Sequence, residues 1–306
     1  MNETTSMNTP AAPTPVRTIG LLAGWGRYPI VIANALRQQG YHVVCLGIKD
    51  CADPQLAHIC QEYDWNGLAK LGRAIRYFRR RGVTTVTMAG KVPKILLYQP
   101  WVWIKHLPDW RAIRRFYPLF LFNRKDRKDD TLLNEVIAEF AMDGIHFAPP
   151  TDYVPELLVR RGQLTRRGLS AVEKRDIEFG WEMAKEMGRL DVGQSVAVKG
   201  RATLAVEAIE GTDECIRRAG QLCRSGGFTL VKVAKPQQDM RFDVPTIGMG
   251  TLEAMVVAGG RVLAVEAQRT IIVDEPEVVR FADRHNISIV ALDTESLCQA
   301  GDKAAA

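Results

Sequence analysis

No apolar run in this sequence approaches the roughly 20 residues that a membrane-spanning helix needs. "TIGLLAG" and "TLEAMVVAGG" are far shorter. Also missing are H-E-x-x-H, a Walker A loop and G-x-S-x-G, which removes zincin, P-loop and α/β-hydrolase chemistry. Histidine is sparse: His42, His58, His106, His146 and His285 are scattered, so a histidine-rich dimetal centre cannot be assembled. A hydrolase built on this chain would have to work with carboxylates and a hard metal. Six cysteines form no C-x-x-C pair, and reduced thiols in a cytoplasmic protein are expected. The first 16 residues have no basic region followed by an apolar one, so they read as a flexible tail rather than a secretory signal.

What is present fits a globular protein of two units. At 306 residues the chain exceeds the usual size of one core, and 46% hydrophobic with 25% charged residues is ordinary globular composition. From 17 to 150, strand and helix signals alternate: "RTIGLLAG", "YPIVIANALRQQG", "YHVVCLGI", "LAKLGRAIRYFRRRG", "VTTVTMAG", "DDTLLNEVIAEFAMDG" and "IHFAPP". That order predicts a Rossmann-like α/β domain, a parallel sheet with helices on both faces. A second, mixed α/β domain is expected over 165–297. Ser170 three residues before Glu173 predicts a capping box and a long helix, and "QSVAVKG" with "ATLAVEAIEG" predicts a hairpin. "TDECIRRAGQLCRSGG" reads as a helix capped by Thr212.

Several segments carry residues suited to anion chemistry. "AGWGRYP" follows the first strand and opens a helix, where Gly24 and Gly26 would let backbone N–H groups approach a phosphate. The dinucleotide fingerprint would need glycine where Pro29 stands, so a tight turn without ligand fits as well. Lys91 in "MAGKV", at the end of the third predicted strand, suits a phosphate or is a solvated lysine. Asp129 and Asp130 open a helix, which their charge stabilises, or hold a ribose or cation. Residues 101–128 interleave eight Lys and Arg with three Trp, three Phe and one Tyr. That mixture suits a membrane surface, a core helical pair or, least well, a nucleic-acid groove.

The loop "VKVAKPQQDMRFDVPTIG", 231–248, places Asp239 and Asp243 four residues apart, stiffened by Pro236 and Pro245. Mg²⁺ is commonly held by one or two carboxylates plus substrate phosphates, so both acids are candidate metal ligands. Lys235 and Arg241 supply positive charge for anionic oxygens, and Gln238 and Thr246 complete the candidate substrate contacts.

Taken in order, "IGLLAGWGRYP", "MAGKV", "RKDDTLL", "VKGRATLAVEAIEGTDE" and "GGFTLVKVAKPQQDMRFDVPTIG" resemble the LpxI-type UDP-2,3-diacylglucosamine pyrophosphatases of lipid A biosynthesis over about residues 17–295. Trp25 departs from the family pattern. The resemblance implies a two-domain enzyme with its substrate between the domains. It implies Mg²⁺-dependent hydrolysis to UMP and 2,3-diacylglucosamine 1-phosphate, water attacking the α-phosphorus. It further implies an essential aspartate in "QDMRFD", with Asp243 favoured, Asp239 its partner and Arg241 beside them. Implied partners are the nucleotide-lipid substrate and the cytoplasmic face of the inner membrane, with no nucleic acid and homo-oligomerisation left open. A non-catalytic nucleotide-lipid module and an NAD-dependent oxidoreductase are the alternatives from other classes.

Overall fold

The computed structural model describes residues 17–92, 106–122 and 129–293, with backbone alone at 117–122 and 129–131. The expected tail and, within the aromatic and basic stretch, residues 101–105 and 123–128 lie outside the described residues.

The first domain is a five-stranded parallel sheet in the order β3-β2-β1-β4-β5. Its strands are β1 (Thr18–Ala23), β2 (His42–Ile48), β3 (Glu62–Asn66), β4 (Thr85–Ala89) and β5 (His146–Phe147). Helices α1 (Tyr28–Gln38), a short α2 (Leu56–Ile59), α3 (Leu71–Arg79), α4 (Trp110–Phe122) and α5 (Asp129–Ala141) intervene. β2 is almost wholly buried, as a strand covered on both faces must be. Ile32, Leu36 and Val43 belong to the core on one side of the sheet. Ile75, Phe78 and Phe140 belong to the core on the other.

β3 is a correction to the sequence reading, which passed from the second strand directly to a helix. Its sequence, Glu-Tyr-Asp-Trp-Asn, shows no apolar run because it is a half-exposed edge strand, held by parallel pairing of Glu62 to Asn66 with Val44 to Ile48.

The second domain has a six-stranded mixed sheet in the order β6-β13-β11-β9-β7-β8. It comprises β6 (Gly162–Gln163), β7 (Ser195–Lys199), β8 (Ala202–Val206), β9 (Phe228–Lys232), β11 (Gly260–Glu266) and β13 (Ser288–Leu292). A separate parallel pair joins β10 (Thr246–Ile247) to β12 (Ile271–Ile272). The helices are α6 (Ala171–Arg189), α7 (Thr212–Leu222), α8 (Met249–Ala258) and α9 (Glu275–Arg284). The predicted capping box starts α6: the Ser170 hydroxyl accepts from Glu173 N at 3.3 Å and the Glu173 carboxylate accepts from Ser170 N at 2.8 Å. The predicted hairpin is β7-β8.

At α7 the structure corrects the expected cap. Gly211, at φ 86°, is the residue before the helix, and Thr212 is the first helical residue. A positive φ is costly for any residue with a Cβ, so the turn is made one position earlier than the hydroxyl suggests. The Thr212 side chain is thereby released from capping.

Candidate functional site

The two domains meet through the 235–245 loop and the strand ends beside it. β9 lies in the middle of its sheet with all five residues buried, and its last residue, Lys232, is only 4% exposed. β7 runs antiparallel to both neighbours, so the carboxyl ends of β8 and β9 point the same way. Ser195 pairs with Lys232 on one side, and its carbonyl accepts from Glu207 N at 2.9 Å on the other. Glu207 and Lys232 thus flank one position of β7. Thr212, freed by Gly211, bridges them: Lys232 Nζ donates to its hydroxyl at 2.8 Å, and the hydroxyl donates to Glu207 Oε1 at 2.9 Å.

Desolvation lowers the Lys232 pKa from the ordinary lysine value. Glu207, Asp213 and Asp243 oppose the shift, while Lys91 reinforces it. Lys91 belongs to the first domain and the other charges to the second, so residues of both domains act on this one ammonium.

Beyond β9 the loop is built mainly from its own side chains. Lys235 N donates to Gln238 Oε1 at 2.7 Å, and Gln238 Nε2 donates to Asp243 Oδ2 at 2.5 Å. Asp239 receives the Arg241 backbone N–H at 3.0 Å and the guanidinium at 2.5 to 3.1 Å on both oxygens. That fork holds the Asp239 carboxyl below the usual carboxylate range. Arg241 also reaches across to Asn134 Oδ1 of α5 at 2.9 Å, and Phe242 packs on the first domain's core. The two acids that looked equivalent in sequence are therefore in different situations. Asp239 ties the loop together, whereas Asp243 is oriented by Gln238 and acts electrostatically on Lys232.

The other predicted residues are placed as follows. Gly24 N donates to Ala89 O at 2.8 Å, and a Cβ on Gly24 would lie 2.7 Å from Lys91 O. Close approach of the β1-α1 and β4 loops accounts for this glycine, and Trp25 and Lys91 join those loops by a two-way backbone bridge. Gly26 has φ 106° with nothing within 4 Å of the position a Cβ would take. Lys91 is exposed beside them. Lys235 pairs with Asp191 at 2.7 Å, and the Thr246 hydroxyl donates to Val244 O at 2.9 Å. Asp129 and Asp130 begin α5, while their side chains lie outside the described residues.

Sequence reasoning missed Glu207 and Thr212 as site residues. Residues 205–214, "AVEAIEGTDE", carry four acids, and nothing local singles out Glu207 among them. A concavity of about 610 Å³ lies elsewhere, at the carboxyl ends of β2 and β3, lined by Lys49, Asp50, Trp65, Asn66, Lys70 and Arg73 among others.

Among the described residues no group of three or more His, Cys, Asp or Glu is arranged to hold a metal. An ion held by one carboxylate and phosphate oxygens, the usual Mg²⁺ arrangement, needs only one of the loop's acids, and Arg241 covers both oxygens of Asp239. Nor is any helix among the described residues long and apolar enough to cross a membrane.

A Rossmann-like domain joined to a mixed-sheet domain, with charges of both domains acting on the buried Lys232, defines a two-domain α/β protein with a candidate anion site at the junction. The comparisons give the family. The LpxI N-terminal domain matches residues 18–157 and the LpxI C-terminal domain residues 160–290. The UDP-2,3-diacylglucosamine pyrophosphatase LpxI of Caulobacter vibrioides is 30% identical over 290 residues, covering 92% of this chain and 99% of the relative. The chain belongs to the LpxI family.

Proposed function

We propose that this protein hydrolyses UDP-2,3-diacylglucosamine to UMP and 2,3-diacylglucosamine 1-phosphate, with water attacking the α-phosphorus. The observation that carries the reading is the placement of Asp243. It stands on a loop anchored to the first domain by Arg241 and Phe242, and its charge and that of Lys91 both act on Lys232. Diphosphate cleavage demands charge neutralisation and an oriented water more than covalent chemistry.

In this reading the diphosphate lies between Lys91 and the end of β9. The Asp243 carboxylate, steadied by Gln238, orients the attacking water and accepts its proton. Mg²⁺, held by Asp243 and the diphosphate oxygens, would supply further charge neutralisation. Asp239 and Arg241 keep the loop in shape. The nucleoside is assigned to the carboxyl edge of the parallel sheet, near Gly26 and the concavity beside Asp50, where open α/β sheets gather ligands. Trp110, 78% exposed, with Ile113 and Arg114 exposed on the same helix, supports peripheral docking on the cytoplasmic face of the inner membrane, where the acyl chains reside.

The test is hydrolysis of UDP-2,3-diacylglucosamine in water enriched in heavy oxygen, with and without Mg²⁺, followed by mass spectrometry. Label in UMP, in the presence of metal only, is expected. Label in the sugar phosphate would move the attack to the other phosphorus, and absence of turnover would leave a binding module.

A further inference from the structure

Two lysine and carboxylate systems, one part-buried and one buried, sit at the same end of the second domain's sheet, and they differ in completeness. In the first, Lys185 Nζ donates to both oxygens of Glu266 at 2.7 and 2.8 Å and to Ala234 O at 3.1 Å. Glu266 Oε2 also accepts from Ala234 N at 2.7 Å. Both partners are satisfied, and the pair fastens the chain where it leaves β9. In the second, Lys232 has a single hydrogen-bond partner among the described residues, the Thr212 hydroxyl. Glu207, 8% exposed, leaves Oε2 buried with no hydrogen bond among those residues.

A buried ammonium with unused N–H groups is costly, and a structural role would be served better by a closed pair such as Lys185 and Glu266. The Lys232 N–H groups beyond the one given to Thr212 suit an anionic ligand, while Glu207 serves to orient Thr212. Thr212 accepts from Lys232 and donates to Glu207, so the hydroxyl fixes the ammonium in one direction. Glu207, Asp213 and Asp243 act against the desolvation that lowers its pKa, and Lys91 of the other domain acts with it. Charges of both domains thus act at the end of β9.

Resting on the hydrolytic reading above, we propose that Lys232 is a catalytic residue that binds the departing phosphate. Thr212 and Glu207 are the positioning residues that aim it. In the reaction the water oxygen forms a bond to the α-phosphorus, and the bond from that phosphorus to the bridging oxygen breaks. The electron pair stays on the bridging oxygen, which becomes a terminal oxygen of the sugar 1-phosphate, and the water proton passes to Asp243. Lys232 Nζ meets the charge that appears on the leaving side, an interaction that strengthens as the bond opens.

The experiment compares Lys232→Met with wild type, both confirmed as folded by thermal melting, using UDP-2,3-diacylglucosamine. A fall in kcat of about 100-fold or more is expected, the scale for losing a group that stabilises transition-state charge. Product inhibition separates this role from a structural one. The inhibition constant of 2,3-diacylglucosamine 1-phosphate should rise at least about 10-fold while that of UMP stays within about 3-fold. A folded Lys232→Met enzyme with kcat within about 3-fold of wild type, or a loss confined to UMP, would overturn the proposal. If Lys232→Met does not fold, Thr212→Val and Thr212→Ser replace it. The valine variant should lose about 10-fold in kcat with KM nearly unchanged, and the serine variant should recover it. Equal rates for Thr212→Val and wild type would count against the positioning role. A wild-type protein without turnover would sink the hydrolytic reading itself, a result distinct from all of these.

Discussion

Asp239 and Asp243 stand four residues apart in one loop, and each is the kind of residue that a hydrolytic site employs. Their surroundings separate them. Arg241 closes its fork over both Asp239 oxygens and then reaches Asn134 of the first domain, so that carboxylate is spent on shape. Asp243 is held by the amide of Gln238 and lies within electrostatic reach of the buried Lys232. The contrast shows that residue type and spacing nominate a site, whereas the partners of each carboxylate set its surroundings apart.

The sharpest way to break that contrast is to neutralise each acid in turn. Asp243→Asn should reduce kcat by about 10²- to 10⁴-fold, the range for losing a general base, and leave the melting temperature within a few degrees of wild type. Asp239→Asn should do the reverse in kind. It leaves the Arg241 guanidinium half-paired, costing roughly 1–3 kcal/mol in a denaturant titration, and should slow turnover only about 10-fold through a looser loop. Arg241→Lys should resemble Asp239→Asn in activity, because an ammonium cannot reproduce the two-oxygen fork together with the reach to Asn134.

A weaker effect follows from acid titration. The folded-state pKa of Asp239 is lowered, first by its hydrogen bonds to Arg241. The ion pair therefore stabilises the fold above the unfolded-chain value of about 3.9 and is lost as pH falls through the lower folded value. Unfolding titrations from about pH 5 downward should show wild type losing more stability than Asp239→Asn, the two curves converging in acid. The smallest effect serves as a control: Ser170→Ala removes the α6 cap and should cost about 1 kcal/mol without changing kcat. If it slowed turnover as much as Asp239→Asn, the loop would have no special part in the Asp239 result.

Much of the architecture was legible in the residues because burial imposes a pattern. The near-continuous apolar runs of β1 and β2, the capping box at Ser170 and the β7-β8 hairpin all announce themselves. β3 did not, since an edge strand of Glu, Tyr, Asp, Trp and Asn has no apolar periodicity to read. Within the site, the 235–245 loop drew attention through its charges, but the division of labour between its two acids depends on where Arg241 and Gln238 reach. Glu207 and Thr212 were hidden for another reason. They join Lys232 only through strand register and through the turn at Gly211, neither of which is a local property of the sequence. Gly24 was conspicuous, yet packing against Lys91 already accounts for it.

The most direct test of this account is the single-turnover rate of Asp243→Asn beside that of Asp239→Asn, on UDP-2,3-diacylglucosamine with Mg²⁺, both variants verified as folded. The account predicts that Asp243→Asn is slower than Asp239→Asn by at least about 10-fold. Equal rates, or a slower Asp239→Asn, would contradict the assignment of the reacting carboxylate.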